Sequence, residues 1–297
     1  MRNVLLISSL IVFLCACSTK QPEPVSTITA QGILADVQWL SSDELQGRHY
    51  RSQEARRAAN YIATKWKDAG LVPLPHSSSM YLPTDDIRVS PNVAAMLPGT
   101  GDSYVLLGAH YDHLKPRRTG EDKIYNGADD NASGTAALIA IAEALGTIQS
   151  NPISSIVLVA FTGEEAGSVG SRHFAESEPI PLENIQAMIN LDMISRGEPN
   201  TIFLEGSPGA PRISRAFTEA NMHVGLTIIR DRHPDWLRRS DQWPFMQRNV
   251  PAVFLSVEDH EDYHRVSDHA DKIFPQLAAK TARLAFLAAL DLACHVP

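Results

Sequence analysis

Tyr104-Val-Leu-Leu-Gly-Ala-His-Tyr-Asp-His113 decides the fold class, because an apolar run of strand length stops abruptly at two histidines and an aspartate. A half-buried strand alternates apolar with polar residues, so a run this apolar is covered on both faces, as strands inside an α/β sheet are. Ile156-Val-Leu-Val-Ala-Phe161 repeats the pattern and runs into Thr162-Gly-Glu-Glu165, and Ala187-Met-Ile-Asn-Leu191 runs into Asp192. Working outward, shorter apolar runs fall at 93–97, 202–204 and 252–255. Helical spacing appears at Ile33, Leu34, Val37 and Leu40, from Ala55 to Leu71 with Gly70 as its stop, and at 133–145, 211–221 and 274–292. The pattern predicts a single α/β domain whose central sheet, mostly parallel or mixed, is flanked by helices.

Composition narrows the function without choosing it. The 297 residues are 44% hydrophobic and 20% charged, which excludes disorder, coiled coil and collagen. Lys plus Arg number 26 against 34 Asp plus Glu, a formal charge of -8 with no run of like charge, which argues against a nucleic-acid or anionic-membrane partner. Cys15, Cys17 and Cys294 cannot build a disulfide framework. Neither a Gly-x-Ser-x-Gly elbow nor a phosphate-binding Gly loop is present, so serine hydrolases and nucleotide enzymes are poor alternatives.

Residues 1–17 carry Arg2 and then an apolar run too short to span a bilayer, the pattern of a secretion signal. Leu14-Cys-Ala-Cys17 resembles a bacterial lipobox, which implies a lipoprotein signal over 1–16, an acylated Cys17, a polar tether to residue 27 and a catalytic domain over 28–297. An ordinary signal-peptidase cut near Ala16, giving a soluble periplasmic or secreted protein, is the plainer alternative. Ser18 after the cysteine suggests the periplasmic side of the outer membrane, with the lipid as the only membrane contact. Removing 1–16 deletes one Arg, so the mature balance is 25 minus 34, or -9.

In an open α/β sheet, ligands bind beyond the carboxyl ends of the strands. Three strand ends here deliver His110-Tyr-Asp-His113, Glu164-Glu165 and Asp192 to one edge, and Asn126-Gly-Ala-Asp-Asp-Asn-Ala-Ser-Gly134 opens a helix between the first two. After the run at 252–255 comes Glu258-Asp-His-Glu-Asp-Tyr-His-Arg-Val-Ser-Asp268. Imidazole and carboxylate without thiolate suit zinc or a similar divalent metal, and the supply exceeds what one ion needs. Taken singly, a histidine at a strand end is more often core or surface, and a Glu pair can be a solvated face. The convergence of several segments on one sheet edge carries the metal reading.

These segments, with Leu40-Ser-Ser-Asp-Glu-Leu-Gln-Gly-Arg48, resemble metallopeptidase family twenty-eight, the dizinc leucine aminopeptidase family that also holds glutamate carboxypeptidases and the transferrin-receptor ectodomain. The resemblance implies a zinc-dependent exopeptidase, foremost an aminopeptidase acting on peptides. It implies two Zn²⁺ ions, one held by His110 and Asp192, the other by Glu165 and His264, with Asp129 bridging. Glu164 would be the general base for a water between the ions, Asp112 would orient His110, and Asp268 would do likewise for His264. It also implies a cis peptide between Asp129 and Asp130. Three carboxylates against two divalent cations leave a net positive pocket that acidifies water. Gly163 and Gly167 allow a turn that splays Glu164 from Glu165.

Some residues depart from the family pattern. Gln242 follows Ser240-Asp241 where His is usual, and Leu237 stands where some members carry a tyrosine that donates to the transition state; Tyr111, Tyr263, Arg196 and Arg238 are the open substitutes. His113 is expected outside the ligand set, as a neighbour of the ligands or on the surface, and His260 is ambiguous. Trp236 and Trp243 are either a substrate side-chain pocket or packing. No inserted protease-associated domain fits between Tyr81 and Asn92, so a minimal catalytic domain is expected. The alternatives on the same scaffold are a carboxypeptidase, a glutaminyl-cyclase-like acyltransferase with one zinc, and a catalytically inactive binding domain.

Overall fold

The computed structural model describes residues 24–295, in which eight strands form one sheet. They are β1 (Tyr81–Leu82), β2 (Asn92–Leu97), β3 (Tyr104–His110), β4 (Ser155–Phe161), β5 (Ile185–Leu191), β6 (Thr201–Glu205), β7 (Thr227–Arg230) and β8 (Ala252–Ser256). The order across the sheet is β1-β2-β4-β3-β5-β8-β6-β7. β4, β3, β5 and β8 are adjacent and parallel, while β2 and β6 flank them antiparallel, so the sheet is mixed. The leader and Cys17 lie outside the described residues, and no described helix is long and apolar enough to cross a membrane.

The central runs are apolar throughout because each face meets its own core. Val105, Leu107, Ile156, Leu158, Ala187 and Ile189 join one buried cluster, while Leu106, Val157, Val159 and Met188 join another. Side chains alternate across a strand, so period two sorts one run between two cores. The larger cluster takes in α1 (Ala30–Leu40), α2 (Gln53–Asp68), α3 (Gly134–Leu145), α5 (Pro211–Val224) and α7 (Pro275–Cys294). The smaller is closed by Phe174 of α4 (Val169–Ser177) and Phe245 of α6 (Gln242–Met246). Thr29 and Ser52 accept the N-cap bonds from Gly32 and Ala55, which fixes where α1 and α2 start.

The elements without a sequence expectation are the weakly patterned ones. β1 has two residues, and β7 is an edge strand none of whose residues is fully buried. α4 contains Gly170, a poor helix former, but a Cβ there would stand 2.2 Å from Asn92 Oδ1.

Candidate metal centre

The four parallel strands lie side by side, so their carboxyl ends form one continuous rim. His110 ends β3, Glu164 and Glu165 follow β4, Asp192 follows β5, and His264 lies in the loop after β8. His110 Nε2 is 3.1 Å from Asp192 Oδ1 and 3.4 Å from Asp130 Oδ1. His264 Nε2 is 3.1 Å from Asp130 Oδ2 and 3.2 Å from Glu165 Oε2. Asp130 therefore offers one oxygen to each of two clusters.

Asp129 does not occupy the bridging place that the resemblance gave it. Its Oδ1 accepts the Ser195 N–H at 2.7 Å and the Ser195 O–H at 2.6 Å, and its Oδ2 faces His260 Nε2 at 3.2 Å. The cis peptide likewise joins Asp130 to Asn131, one position later than expected. The cause is local: the helical path over Ala128–Ser133 breaks at Asp130 (φ -102°, ψ 96°) and Asn131 (φ -128°, ψ 46°), which turns the two aspartates to opposite sides. Asn131 locks the break, accepting the N–H groups of Gly134 and Met193 and donating to Leu191 O.

The supporting shell also differs in detail from expectation. Asp112 receives His110 Nδ1 on its main-chain carbonyl at 3.1 Å, whereas its carboxylate lies 3.8 Å away and accepts the Glu164 N–H. Asp268 makes no bond to His264; its carboxylate accepts the main-chain N–H groups of Asp129 and Asp130. Ser240 donates to Asp192 Oδ2 at 2.6 Å, a contact no sequence signal announced. Gln242 accepts from Asn190 and donates to Trp236 O and Leu237 O, so in the place of the usual His it serves packing. Arg48 is fully buried and donates to the carbonyls of Leu40, Tyr111, Asn126 and Gly127.

Gly163 (φ +68°) and Gly167 (φ +91°) bracket the short turn that holds the two glutamates. His264 at φ +54° and Met193, beside Asp192, at φ +59° are left-handed without being glycine, a strain typical of functional loops. His113, expected among the neighbours of the ligands or on the surface, is wholly buried, its Nδ1 2.7 Å from Glu165 Oε1 and 3.7 Å from Asp130 Oδ2. Continued β alternation would send it away from the cluster, but the strand ends at His110 and the chain turns it back.

The titrations betray a site rich in negative charge. Burial drives the Glu164 carboxyl well above its usual range, moderated by His110, and lifts Asp112 and Asp268 to about 6 and Asp241 to about 7. Burial pulls His264 down, but the adjacent carboxylates of Asp130 and Glu165 outweigh it and hold the ring at about 10. His110 moves upward for a similar reason, Asp192 overcoming burial. Glu165 falls below the carboxylate range because His113 and His264 outweigh its desolvation. Asp130 Oδ2, Glu165 Oε1 and both ring nitrogens of His113 are buried without a hydrogen-bond partner. Unpaired buried carboxylate and imidazole atoms are costly, and a divalent cation satisfies both types at once, so the residues fit zinc or a similar divalent metal. The sets His110, Asp130, Asp192 and His113, Asp130, Glu165 each bring their ligand atoms within 4.8 Å of one another.

Glu164, Asp192, Trp236, Arg239, Tyr263 and His264 line a recess of about 40 Å³ over the clusters. A larger cavity of about 690 Å³ opens near Ile185 and Pro251, at the amino ends of β5 and β8 and away from the ligand groups. Of the four open donor candidates, only Tyr263 lines the recess: the Tyr111 hydroxyl bonds Pro91 O, Arg196 pairs with Asp262, and Arg238 lies over Trp243. Trp236 reaches the recess wall, whereas Trp243 does not.

The model of peptidase family M28 matches residues 92–289. A probable zinc metalloprotease of Pyrenophora tritici-repentis is 30% identical over 250 residues, covering 69% of this chain and 57% of its own length. This chain thus spans little more than half of that relative. Among solved structures, the Legionella pneumophila LapA aminopeptidase superposes with a TM-score of 0.79 at 18% identity, covering 92% of this chain and 74% of its own. The Porphyromonas gingivalis glutaminyl cyclase gives 0.69 at 17%, covering 88% and 97%. At these identities the two structures speak for the fold.

Proposed function

Because the chain belongs to peptidase family M28, we propose that it is a zinc-dependent exopeptidase, foremost an aminopeptidase that releases N-terminal residues from peptides. The observation that carries this reading is the placement of Glu164 in the same recess as His110, Asp130, Asp192 and His264, close to two ligand groups that meet at Asp130. Two zinc ions would be held by His110 and Asp192 on one side and Glu165 and His264 on the other, with Asp130 between them. When bound, they supply Lewis acidity toward the scissile carbonyl and acidify water. The chain supplies the rest. Glu164, half-buried in the recess beside the ligand groups, takes the proton of the attacking water and passes it to the leaving amine. Ser240 and the Asp112 carbonyl fix Asp192 and His110, so the ligands are aimed before substrate arrives.

Aminopeptidase is favoured over carboxypeptidase by the cations at hand. Among the described residues, Arg239 is the one Lys or Arg lining the recess, and it is already paired with Asp259 at 3.0 Å rather than held ready for a substrate carboxylate. The superposed LapA carries the name aminopeptidase, which agrees. The likeness to a cyclase keeps the acyltransferase reading as the second, and it expects one ion where this one expects two. We further propose that Cys17 is acylated and tethers the enzyme to the periplasmic face of the outer membrane.

The test is a peptide mixture offered with free and with acetylated N-termini, with and without chelator. Stepwise loss of N-terminal residues from the free peptides alone, abolished by chelator, is expected. Cleavage of both sets would move the reading to a carboxypeptidase, and cleavage of neither would reject the peptidase.

A further inference from the structure

We infer that His113 is a ligand of the second metal position, beside Asp130, Glu165 and His264. The inference rests on the two-ion reading above but adds a residue that neither the family resemblance nor the strand pattern supplied. His113 is 0% exposed, and neither ring nitrogen has a hydrogen-bond partner. A buried imidazole with both nitrogens unpaired is rare and costly, so the site must give it something to bind.

Direction identifies that something. His113 Nδ1 stands 2.7 Å from Glu165 Oε1, a hydrogen-bond distance, yet the pair lacks hydrogen-bond alignment and both atoms count as unpartnered. His264 Nε2 sits equally close to Asp130 Oδ2 and Glu165 Oε2, at 3.1 and 3.2 Å, without forming a hydrogen bond to either. Atoms that crowd together without pointing at one another converge on a common point between them, which is how ligands surround an ion. The ligand atoms of His113, Asp130 and Glu165 lie within 4.8 Å of one another. Gly127 keeps the ring's place open: a Cβ there would come within 2.5 Å of His113 Cδ2, and its φ of +57° suits glycine.

With His113 the second position has two imidazoles where the first has one. A nitrogen-rich set favours zinc or cobalt over the harder magnesium and manganese, so the second ion is the more selective of the two.

The test is a cobalt(II) titration of the full chain followed by visible absorption, compared with His113→Asn and His113→Gln. The unaltered chain is expected to take up two ions. In the variants the first ion should bind as before and the second more than about 100-fold more weakly, beyond the 10–100-fold that loss of an outer-shell partner produces. Weakening of the second ion by about 100-fold or less would overturn ligation. Should neither variant fold, zinc X-ray absorption of the unaltered chain decides: three imidazoles per two ions support His113, and two overturn it. A chain that binds two ions yet cleaves no peptide overturns the proposed function and leaves this assignment standing.

Discussion

Asp129 and Asp130 are neighbours in the chain with opposite duties, one tying the Ser195 and His260 segments together and the other facing both ligand clusters. Residue type and order were legible in the sequence: His110, Glu164, Glu165, Asp192 and His264 all stand at the expected rim. Which of two adjacent aspartates faces the site was not, because that depends on a break in the helical path that composition does not encode. His113 escaped for the related reason that strand alternation stops at His110. At this scale Glu164→Gln should retain both proposed ions, since Glu164 belongs to neither ligand group, and lose about 10²–10⁴-fold in turnover, the usual worth of a general base. Peptide hydrolysis rates measured beside zinc content check this, and near-normal rates would remove Glu164 from the base role.

At the scale of elements, the parallel row β4-β3-β5-β8 gathers the ligands, and its strands were legible because both faces are apolar. Edge strand β7 and helix α4 were not, since one has no fully buried residue and the other is interrupted by a glycine that packing demands. Leu158, fully buried halfway along β4, should cost about 2–5 kcal/mol when cut to Ala, read from urea unfolding. Arg48 binds the rim from beneath, joining the end of α1, the residue after β3 and the 126–127 turn through four carbonyls. Arg48→Met would orphan those buried acceptors and should cost about 3 kcal/mol or more even in the metal-free chain. A loss under about 1 kcal/mol in the same urea titration would mean that water replaces the guanidinium.

For the whole molecule, the crowded acids make stability depend on pH in a way that metal should reverse. Without ions, burial holds Asp112 and Asp268 near 6 and Asp241 near 7, so the folded chain keeps protons that the unfolded chain has released above about pH 4. Their contribution is therefore greatest in acid and falls as pH rises toward 7. His264, held at about 10 against an ordinary value near 6.5, contributes stability that is full below about pH 6.5 and is lost as pH rises toward 10. Glu165, depressed, has the opposite slope, but only below its own ordinary range. The chelator-treated chain should thus melt at a lower temperature at pH 8 than at pH 5, and zinc should abolish or invert that trend, since cations favour the ionised carboxylates and neutral imidazoles. Scanning calorimetry at the two pH values checks it; a chelated chain that melts higher at pH 8 would refute the charge picture. Cellular placement belongs to this scale too: Cys17→Ser should shift the protein from the membrane to the soluble fraction, and unchanged membrane association would reject the lipid anchor.

Asp130 is the carboxylate proposed to be shared by two ions, and zinc content per chain after dialysis against trace zinc tests that role most directly. The unaltered chain and Asp129→Asn should each retain two ions, and Asp130→Asn fewer than two. Two ions retained by Asp130→Asn together with loss from Asp129→Asn would contradict it and return the bridge to Asp129.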